Sequence, residues 1–341
     1  MNTEHIKNAR GRPSFSEVLK NLDEEVMLLR TSLGGLPRAV EADQILREVW
    51  IDDIHNSTAI EGNTMTRAQV ENLVQRGRAA PSRLAENLDV EGYAKAADWV
   101  YRNAADYLGV PVTVVSEAHK IAISLVWQVE PPVTRDLPGA WRQTPVQVGS
   151  VTVSVPAAIP ADLAAWSEST RDVFGVHPII HAANHHAWFE RIHPFVDGNG
   201  RVGRLLLNFM LVQLGYPPAV ILASQRSRYL QALRAADDGN SNPLAEVIAR
   251  AVSATLIRIL IPKLAGEAKL VPLSALAAQG PYSVEYVRTL VDRGRLRAVR
   301  QGRLWLSSRA WLKEYLAKRD PRGGQPQRRR QKKAKGAKRK S

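Results

Sequence analysis

The sequence predicts a mainly α-helical protein, with an all-helical core that carries one small β-hairpin and with a C-terminal winged-helix-like module. Three observations support this fold class. Apolar residues recur at helical spacing over most of 15–260. Valines alternate only over 146–155, around Gly149 and Ser150, as in a short hairpin. Beyond residue 269 the pattern changes to two short helices, a hairpin and a closing helix.

Capping residues and helix breakers delimit the predicted helices. The first, 15–33, ends before Gly34, and the second runs from Asp43 to Gly62. A capping box that starts at Thr66 begins the third. Further helices are predicted over 88–108, 114–126, 161–173, 178–190, 205–214, 229–236 and 244–260.

These elements divide the chain into four parts. Residues 1–110 form an N-terminal helical region, and 111–262 form the core. A linker over 262–269 leads to the module at 269–318. The remaining 319–341 are rich in lysine and arginine, and this composition predicts a basic, disordered tail.

Composition excludes several classes of protein. The 341 residues are 45% hydrophobic, enough for a sizeable core, and the absence of cysteine excludes disulfides and thiolate zinc sites and fits a reducing cytoplasm. No apolar run approaches the ~18 residues of a membrane span, so no membrane partner is expected. The net charge of +14 is uneven: 322–341 carry ten Lys or Arg and no acid, and 269–321 carry +7, which leaves −3 for 1–268.

The most informative stretch is 191–208, Arg-Ile-His-Pro-Phe-Val-Asp-Gly-Asn-Gly-Arg-Val-Gly-Arg-Leu-Leu-Leu-Asn. Pro194 disfavours a helical His193, so this histidine is expected on a loop that leads into a buried helix. Gly198, Asn199 and Gly200 would then offer backbone N–H groups at the positive end of that helix. Such an arrangement suits a phosphate.

Polar side chains follow these glycines at helical spacing. Arg201, Arg204 and Asn208 are at i, i+3 and i+7, so they share one helix face, where two guanidiniums can bind further phosphate oxygens. Asp197 precedes the glycines and can hold a magnesium ion that bridges the phosphates. The residues therefore predict a site for a phosphate-bearing ligand and Mg²⁺.

Two other interpretations of this region are less consistent with its context. The glycines at 198, 200 and 203 match the dinucleotide fingerprint, but a predicted helix precedes them and no acid follows near 218–224. His181 and His185 have the i, i+4 spacing of a zinc pair, but the adjacent glutamate and thiols of such sites are absent. We interpret both histidines as ordinary helix residues.

The twelve residues 193–204 match every defining position of His-x-Phe-x-Asp/Glu-Gly-Asn-Gly-Arg-x-x-Arg. The stretch resembles the signature of Fic-domain proteins. That resemblance implies transfer of AMP from ATP to a hydroxyl side chain (Ser, Thr or Tyr) of a target protein, with release of pyrophosphate. His193 would be the general base and Phe195 an anchor for the loop, and Arg204 would orient the γ-phosphate.

The same resemblance implies further contacts around the nucleotide. Tyr229 would lie near the adenine. Asp237 stands where many members carry an asparagine that contacts the ribose, which puts that contact in doubt. The hairpin over 146–155 would be a flap that receives the target segment as an added strand.

A second motif lies at the end of the second predicted helix. Ser57-x-x-x-Glu61-Gly62 resembles the inhibitory motif Ser/Thr-x-x-x-Glu-Gly/Asn of Fic proteins with an N-terminal inhibitory helix. By that resemblance Glu61 pairs with Arg204, the guanidinium that should hold the γ-phosphate, and Ser57 steadies Glu61. Without the family context, the same residues would indicate an ordinary helix end.

The sequence leaves alternatives open for the reaction. The same site could remove AMP, or transfer a different phosphate-containing group. The chain could also be a DNA-binding regulator with a nucleotide-sensing Fic domain. The target protein and the oligomeric state stay open, a homo-oligomer included.

The C-terminal module is similar to the small winged helices of MerR and excisionase-like DNA binders. In a major groove its second helix would present Tyr286, Arg288 and Thr289, while Arg300 and Arg303 on the wing would meet phosphates. DNA binding through 269–341 is therefore one hypothesis. A protein-docking module of the same fold is the other, because fold does not determine function.

Overall fold

A computed structural model describes 14–33, 44–77, 83–149, 151–264, 270–278, 282–301 and 304–317. The chain forms two compact units. One is Val18–Leu256, and the other combines Met1–Glu17 with Ile257–Ser341.

The protein is mainly helical, as the sequence predicts. Helices α1 to α10 lie in the described part of 14–264, and most begin and end within a few residues of the predicted positions. Their bounds are Phe15–Leu33, Gln44–Ile60, Arg67–Arg76, Leu84–Asn103, Val112–Ile123, Ile159–Ser169, Pro178–Ile192, Asn199–Gln213, Arg226–Asp237 and Asn242–Leu264. Among the described helices, none is both long and apolar enough to cross a membrane.

Helix α8 lies at the centre of the Val18–Leu256 unit. Every residue from Arg201 to Leu211 is buried, and α4, α5 and α7 pack around them. The apolar residues account for most of the hydrophobic stabilisation. The polar ones are buried as well, so protein partners must replace most of their contacts with water.

The capping box at the start of α3 is confirmed. The Thr66 side chain accepts from the backbone N–H of Gln69, and the Gln69 side chain accepts from the backbone N–H of Thr66. Gly77, in a left-handed conformation, ends the helix.

The predicted hairpin over 146–155 is reduced to a single antiparallel bridge between Val148 and Val151. Its second arm is bound elsewhere, because Ser154 N–H donates to Arg191 O at 3.3 Å, and the Ser154 carbonyl accepts from Arg142. The alternating valines therefore lack a second strand to pair with. Ser150 lies outside the described residues.

The predicted linker over 262–269 is wrong at its start, because α10 continues through Pro262 to Leu264. A proline removes one helical hydrogen bond but does not always end a helix. Residues 265–269 are outside the described part.

The predicted helices and hairpin strands of the C-terminal module are present among the described residues, and the predicted turn at Gly280 and Pro281 lies outside them. Strand β1 (Val271–Pro272), α11 (Leu273–Ala278), α12 (Val284–Asp292), β2 (Val299–Gln301), β3 (Leu304–Ser307) and α13 (Arg309–Ala317) follow one another. The sheet has the antiparallel order β1-β3-β2, and β1 was not predicted. The core of the module is formed by Leu276, Val287, Leu290, Leu296, Trp311 and Leu312. Gly302, Arg303 and the tail lie outside the described residues.

Candidate active site

His193 lies directly after α7, in a conformation that ends the helix. Its φ is 50°, and its backbone N–H donates to Phe189 O at 3.0 Å. Nδ1 lies 3.2 Å from the carbonyl oxygen of Glu190. Because a carbonyl only accepts, Nδ1 carries the hydrogen and Nε2 is the basic nitrogen. Burial lowers the pKa of His193, so the imidazole is neutral at pH 7.

Asn199 fastens the loop that follows. Its Oδ1 accepts from Phe195 N at 2.9 Å, and its Nδ2 donates to Phe195 O at 2.8 Å. Gly198 has a φ of 82°, and a Cβ there would lie 2.8 Å from Ile123 Cδ1. The Asn199 side chain is occupied by the loop and only 2% of the residue is exposed. A nucleotide contact from this residue would have to come from its backbone.

His119 on α5 supports the loop from the core side and was not predicted. Its Nδ1 accepts from Gly139 N–H at 2.8 Å, so Nε2 carries the hydrogen and donates to Asp197 O at 3.1 Å. Its ring stacks on Phe195 with centroids 3.6 Å apart. Burial lowers the pKa of His119 to about 4. The neutral ring therefore sets the position of the backbone at Asp197.

Arg142 supports the other side of the loop and was also not predicted as a site residue. It is fully buried, with Nε donating to His193 O at 2.7 Å and Nη1 to Thr144 O at 3.0 Å. Its backbone N–H donates to Pro194 O at 2.9 Å. Arg142 thus ties the start of the 144–155 segment to the loop that carries His193.

Arg201 is enclosed between two carboxylates. Its Nη1 pairs with Asp89 on α4, and its Nη2 donates to Asp197 Oδ2 at 3.0 Å. Burial opposes the charge, but Asp89 and Asp197 offset this effect and the pKa of Arg201 is raised. Asp89 was missed by the sequence analysis. In this structure the guanidinium of Arg201, which was predicted to bind a phosphate, binds these two carboxylates instead.

Arg204 is bound by the end of α2. Its Nη2 donates to Glu61 Oε1 at 2.8 Å and to Ser57 O at 2.9 Å, and its Nε donates to Ser57 Oγ at 2.8 Å. Burial opposes the charge of Arg204, but Glu61 and nearby tyrosines raise its pKa. The predicted pairing of Glu61 with Arg204 is present. Ser57 binds Arg204 itself, so its predicted support of Glu61 is indirect.

Asn208 does not reach the ligand side of α8. Its Nδ2 lies 3.3 Å from Asp53 Oδ1, and its Oδ1 accepts from Ala219 N–H at 2.9 Å. Tyr93 donates to the other oxygen of Asp53 at 3.3 Å. The predicted nucleotide contact of Asn208 is therefore at odds with the geometry, since both of its polar groups hold α8 against α2 and the 219 segment.

Tyr229 is similarly enclosed, with only 1% of its surface exposed. Its hydroxyl lies 2.7 Å from His186 Nε2, and the other ring nitrogen of His186 lies 3.1 Å from Gly203 O. Burial lowers the pKa of His186 to about 3. Tyr229 therefore packs behind α8, close to Arg204, in a position where little of its ring faces solvent.

The side chains allow one arrangement for a magnesium ion. Arg201 binds Oδ2 of Asp197, but 58% of the Asp197 side chain is exposed, so a ligand in solvent can reach the carboxylate. One carboxylate together with phosphate oxygens is a common Mg²⁺ site. Within the described residues there is no group of three or more His, Cys, Asp or Glu that could hold a metal alone. His185 uses its ring nitrogens for His181 O and Ser169 Oγ.

Residues 111–211 match the family model described as "Fic/DOC family". The chain contains a Fic/DOC family domain. The match covers α5 to the main part of α8, and thus the whole loop between His193 and Arg204. The predicted family resemblance is confirmed.

Curated relatives extend the similarity beyond the Fic domain. "Protein adenylyltransferase Fic" of Drosophila willistoni is 31% identical over 268 residues, and that of Drosophila virilis is 32% identical. Each alignment covers 75% of this chain and 52% of the relative. The chain thus spans about half the length of these curated relatives.

Solved structures share the fold. Fic-1 from C. elegans has a TM-score of 0.61 at 24% identity, covering 72% of this chain and 71% of that one. A Fic family protein from Desulfovibrio desulfuricans G20 has a TM-score of 0.56 at 19% identity, covering 88% of this chain and 98% of that one. At such identities the likeness concerns the fold alone.

Asp53→Asn is expected to change the pH dependence of stability. Burial raises the pKa of Asp53 to about 7 from its ordinary value of 3.8, so between these pH values the native state keeps a proton that the unfolded chain has lost. The native chain therefore loses stability as pH rises through this window, by at most about 1.4 kcal/mol per pH unit. The substitution removes that contribution.

Urea unfolding of both proteins at pH 5, 6 and 7 measures the effect. The stability of the native chain relative to Asp53→Asn should fall with rising pH. Asp98→Asn, on the exposed side of the neighbouring α4, is the matched control. A difference between native chain and Asp53→Asn that stays constant with pH would contradict the expectation.

Proposed function

We propose that this chain is an autoinhibited protein adenylyltransferase, which transfers AMP from ATP to a hydroxyl side chain of a target protein. The Fic domain and the names of the curated relatives support this reaction. The observation that carries the autoinhibited form is the ion pair between Glu61 and Arg204, with Nη2 and Oε1 2.8 Å apart.

His193 supplies the general base. Its Nε2 is unprotonated because Nδ1 donates to Glu190 O, and the neutral ring can take the proton of the target hydroxyl. The hydroxyl oxygen then forms a bond to the α-phosphorus, and the bond between that phosphorus and the bridging oxygen breaks. Pyrophosphate leaves, and the hydroxyl proton stays on His193.

The start of α8 stabilises the charge that develops on the phosphates. The first backbone N–H groups of a helix have no partner within it, and those of 198–200 follow His193 on the same loop. Asp197 would hold Mg²⁺, which would offset negative charge on the phosphates. Arg201 adds a positive charge, and its ion pair with Asp89 fixes the orientation of the guanidinium.

Glu61 restrains this site by occupying Arg204. The guanidinium directs Nη2 to Glu61 and both Nη2 and Nε to Ser57, so the donors that would bind a γ-phosphate already have acceptors. The Glu61 carboxylate also repels an anion at the same place. A Cβ at Gly200 would lie 2.4 Å from Glu61 Oε1, which places the carboxylate directly over the first turn of α8.

The target segment would bind along 144–155. The Arg142 side chain donates to the Thr144 carbonyl at one end of this segment, and the Arg191 carbonyl accepts from Ser154 N–H at the other. Between them only Val148 and Val151 form a bridge in the described part. Strand addition to such a segment relies on backbone hydrogen bonds and makes little demand on the target sequence.

Glu61→Gly is expected to increase AMP transfer, because it leaves Arg204 available to the γ-phosphate. Incubation of the full chain with α-³²P-ATP and Mg²⁺, followed by detection of labelled protein, measures this directly. We expect at least about a ten-fold increase in self-labelling, the effect of a charge-assisted contact of about 1.4 kcal/mol or more. The control is Glu71→Gly, an exposed partner of Arg67 on α3.

Two further variants test the assigned roles. Glu61→Gly/His193→Ala should lose labelling yet bind ATP, and Glu61→Gly/Arg204→Ala should lose most of the gain. Equal labelling by the native chain and Glu61→Gly would contradict the autoinhibition. Loss of an AMP-removing activity in Glu61→Gly would instead favour the alternative in which the site removes AMP.

DNA binding by the C-terminal module is a second proposed function, supported by charge. The +7 of 269–321 and the ten basic residues of 322–341 suit a phosphate backbone. Ser283 caps α12 by accepting from Tyr286 N–H, and Arg288 is exposed on that helix. The guanidinium of Arg300 lies 6.0 Å from the centroid of the Trp305 ring on the hairpin.

Deleting 322–341 should weaken duplex binding and flatten its salt dependence. Each neutralised phosphate contributes about 0.9 to the slope of log affinity against log salt, so a ten-charge tail should account for several units. Filter binding of the full chain and of the truncated chain across a salt series measures both slopes. If the truncated chain does not bind even at low salt, the module is better explained as a protein-docking domain.

A further inference from the structure

Glu190 lies on the last turn of α7, three residues before His193. Its backbone carbonyl holds His193 Nδ1, but its side chain has no part in the proposed mechanism. Oε1 is enclosed by protein and has no hydrogen-bond partner among the described residues. The residue as a whole is nevertheless partly exposed. Part of Glu190 is therefore accessible to solvent, while one of its oxygens lacks a donor.

An unpartnered buried carboxylate oxygen is unfavourable. Buried acceptors in proteins are almost always satisfied, and those that are not commonly mark a site where a ligand or water supplies the donor. Burial raises the pKa of Glu190 to about 7, against the opposing effect of Arg204. The native chain thus retains a side chain that is costly when nothing donates to it.

The surroundings of this carboxyl group place it beside the proposed nucleotide site. A Cβ at Gly203 would lie 2.1 Å from Glu190 Oε1, so the glycine on α8 makes room for it. Arg204, Glu61 and Asp237 all act electrostatically on Glu190, and Glu190 acts on Tyr229. The carboxyl group therefore lies at the end of α7 against Gly203 on α8, within electrostatic range of Tyr229 and Asp237 on α9.

We propose that Glu190 is a nucleotide-recognition residue, whose carboxylate accepts a hydrogen bond from a hydroxyl or amino group of the nucleoside. This inference rests on the proposed function, because it requires a nucleotide in this site. The phosphates carry no such donor and belong with Arg204 and the α8 amides. The nucleoside has three groups that can donate to such an acceptor: the ribose 2′ and 3′ hydroxyls and the 6-amino group of adenine.

The inference assigns specificity to Glu190. A site that leaves an acceptor unpaired discriminates strongly against a ligand that lacks the matching donor. It also explains why position 203 is a glycine at a fully buried point of a helix, where alanine would otherwise be the better helix former.

Calorimetric binding of ADP to the full chain tests this assignment. ADP has no γ-phosphate and is no donor for AMP transfer, so the result does not depend on Glu61 or on activity. The ligands are ADP, 2′-deoxy-ADP, 3′-deoxy-ADP and purine riboside diphosphate, which lacks the amino group. The proteins are the native chain, Glu190→Ala, Glu190→Gln and the matched control Glu168→Ala, an exposed partner of Arg171.

Glu190→Ala should bind ADP about ten- to hundred-fold more weakly than the native chain, as expected for a lost hydrogen bond to a charged group. One of the three analogues lacks the group that contacts Glu190. For that analogue, the affinities of the native chain and of Glu190→Ala should agree within about two-fold, because the contact is absent in both cases. Glu190→Gln keeps an acceptor and should show the same pattern with a smaller loss. Its conservative shape keeps the test valid if Glu190→Ala does not fold.

Two results would overturn the inference while leaving the nucleotide site intact. One is an equal loss for ADP and all three analogues, which would indicate a structural role. The other is no loss in any variant. Absence of ADP binding to the native chain would instead overturn the nucleotide site itself, and this inference with it.

Discussion

The burial of charge on α8 is the constraint on which the site depends. Arg201 and Arg204 lie on a helix that the core surrounds, and a guanidinium without acceptors there would be strongly unfavourable. Each arginine therefore has a carboxylate partner from a distant part of the chain, Asp89 for Arg201 and Glu61 for Arg204. Arg201 also pairs with Asp197, four residues before it. Without a nucleotide, these carboxylates thus bind the two guanidiniums that the proposed reaction needs for the phosphates.

Helix α2 is tied to α8 by more contacts than the pair of Glu61 and Arg204. Asp53 accepts from Asn208 and Tyr93, and Ser57 accepts from Arg204, so a line of buried polar contacts runs along the interface. Glu61, by contrast, is at the end of this line, with 37% of its side chain exposed. Its carboxylate is therefore more accessible to solvent than the buried members of this line.

Sequence analysis predicted the elements and the residues that a motif names, because helical periodicity, capping and a twelve-residue signature are local. It placed His193 on a loop through Pro194 and paired Glu61 with Arg204. It missed Asp53, Asp89, His119 and Arg142, since each acts through a contact to a residue far away in the chain. No local pattern distinguishes a buried aspartate from an exposed one. For the same reason it directed Asn208 to a ligand when both of its polar groups are used inside the core.

In the proposed mechanism, Glu61 occupies the place of the γ-phosphate on Arg204. The most direct measurement is the ratio of ATP affinity to ADP affinity, by calorimetry, for the native chain and for Glu61→Gly. We expect ATP and ADP to bind the native chain with about equal affinity. Glu61→Gly should prefer ATP by roughly ten-fold or more, which is the effect of one charge-assisted contact. The same ratio in both proteins would contradict it.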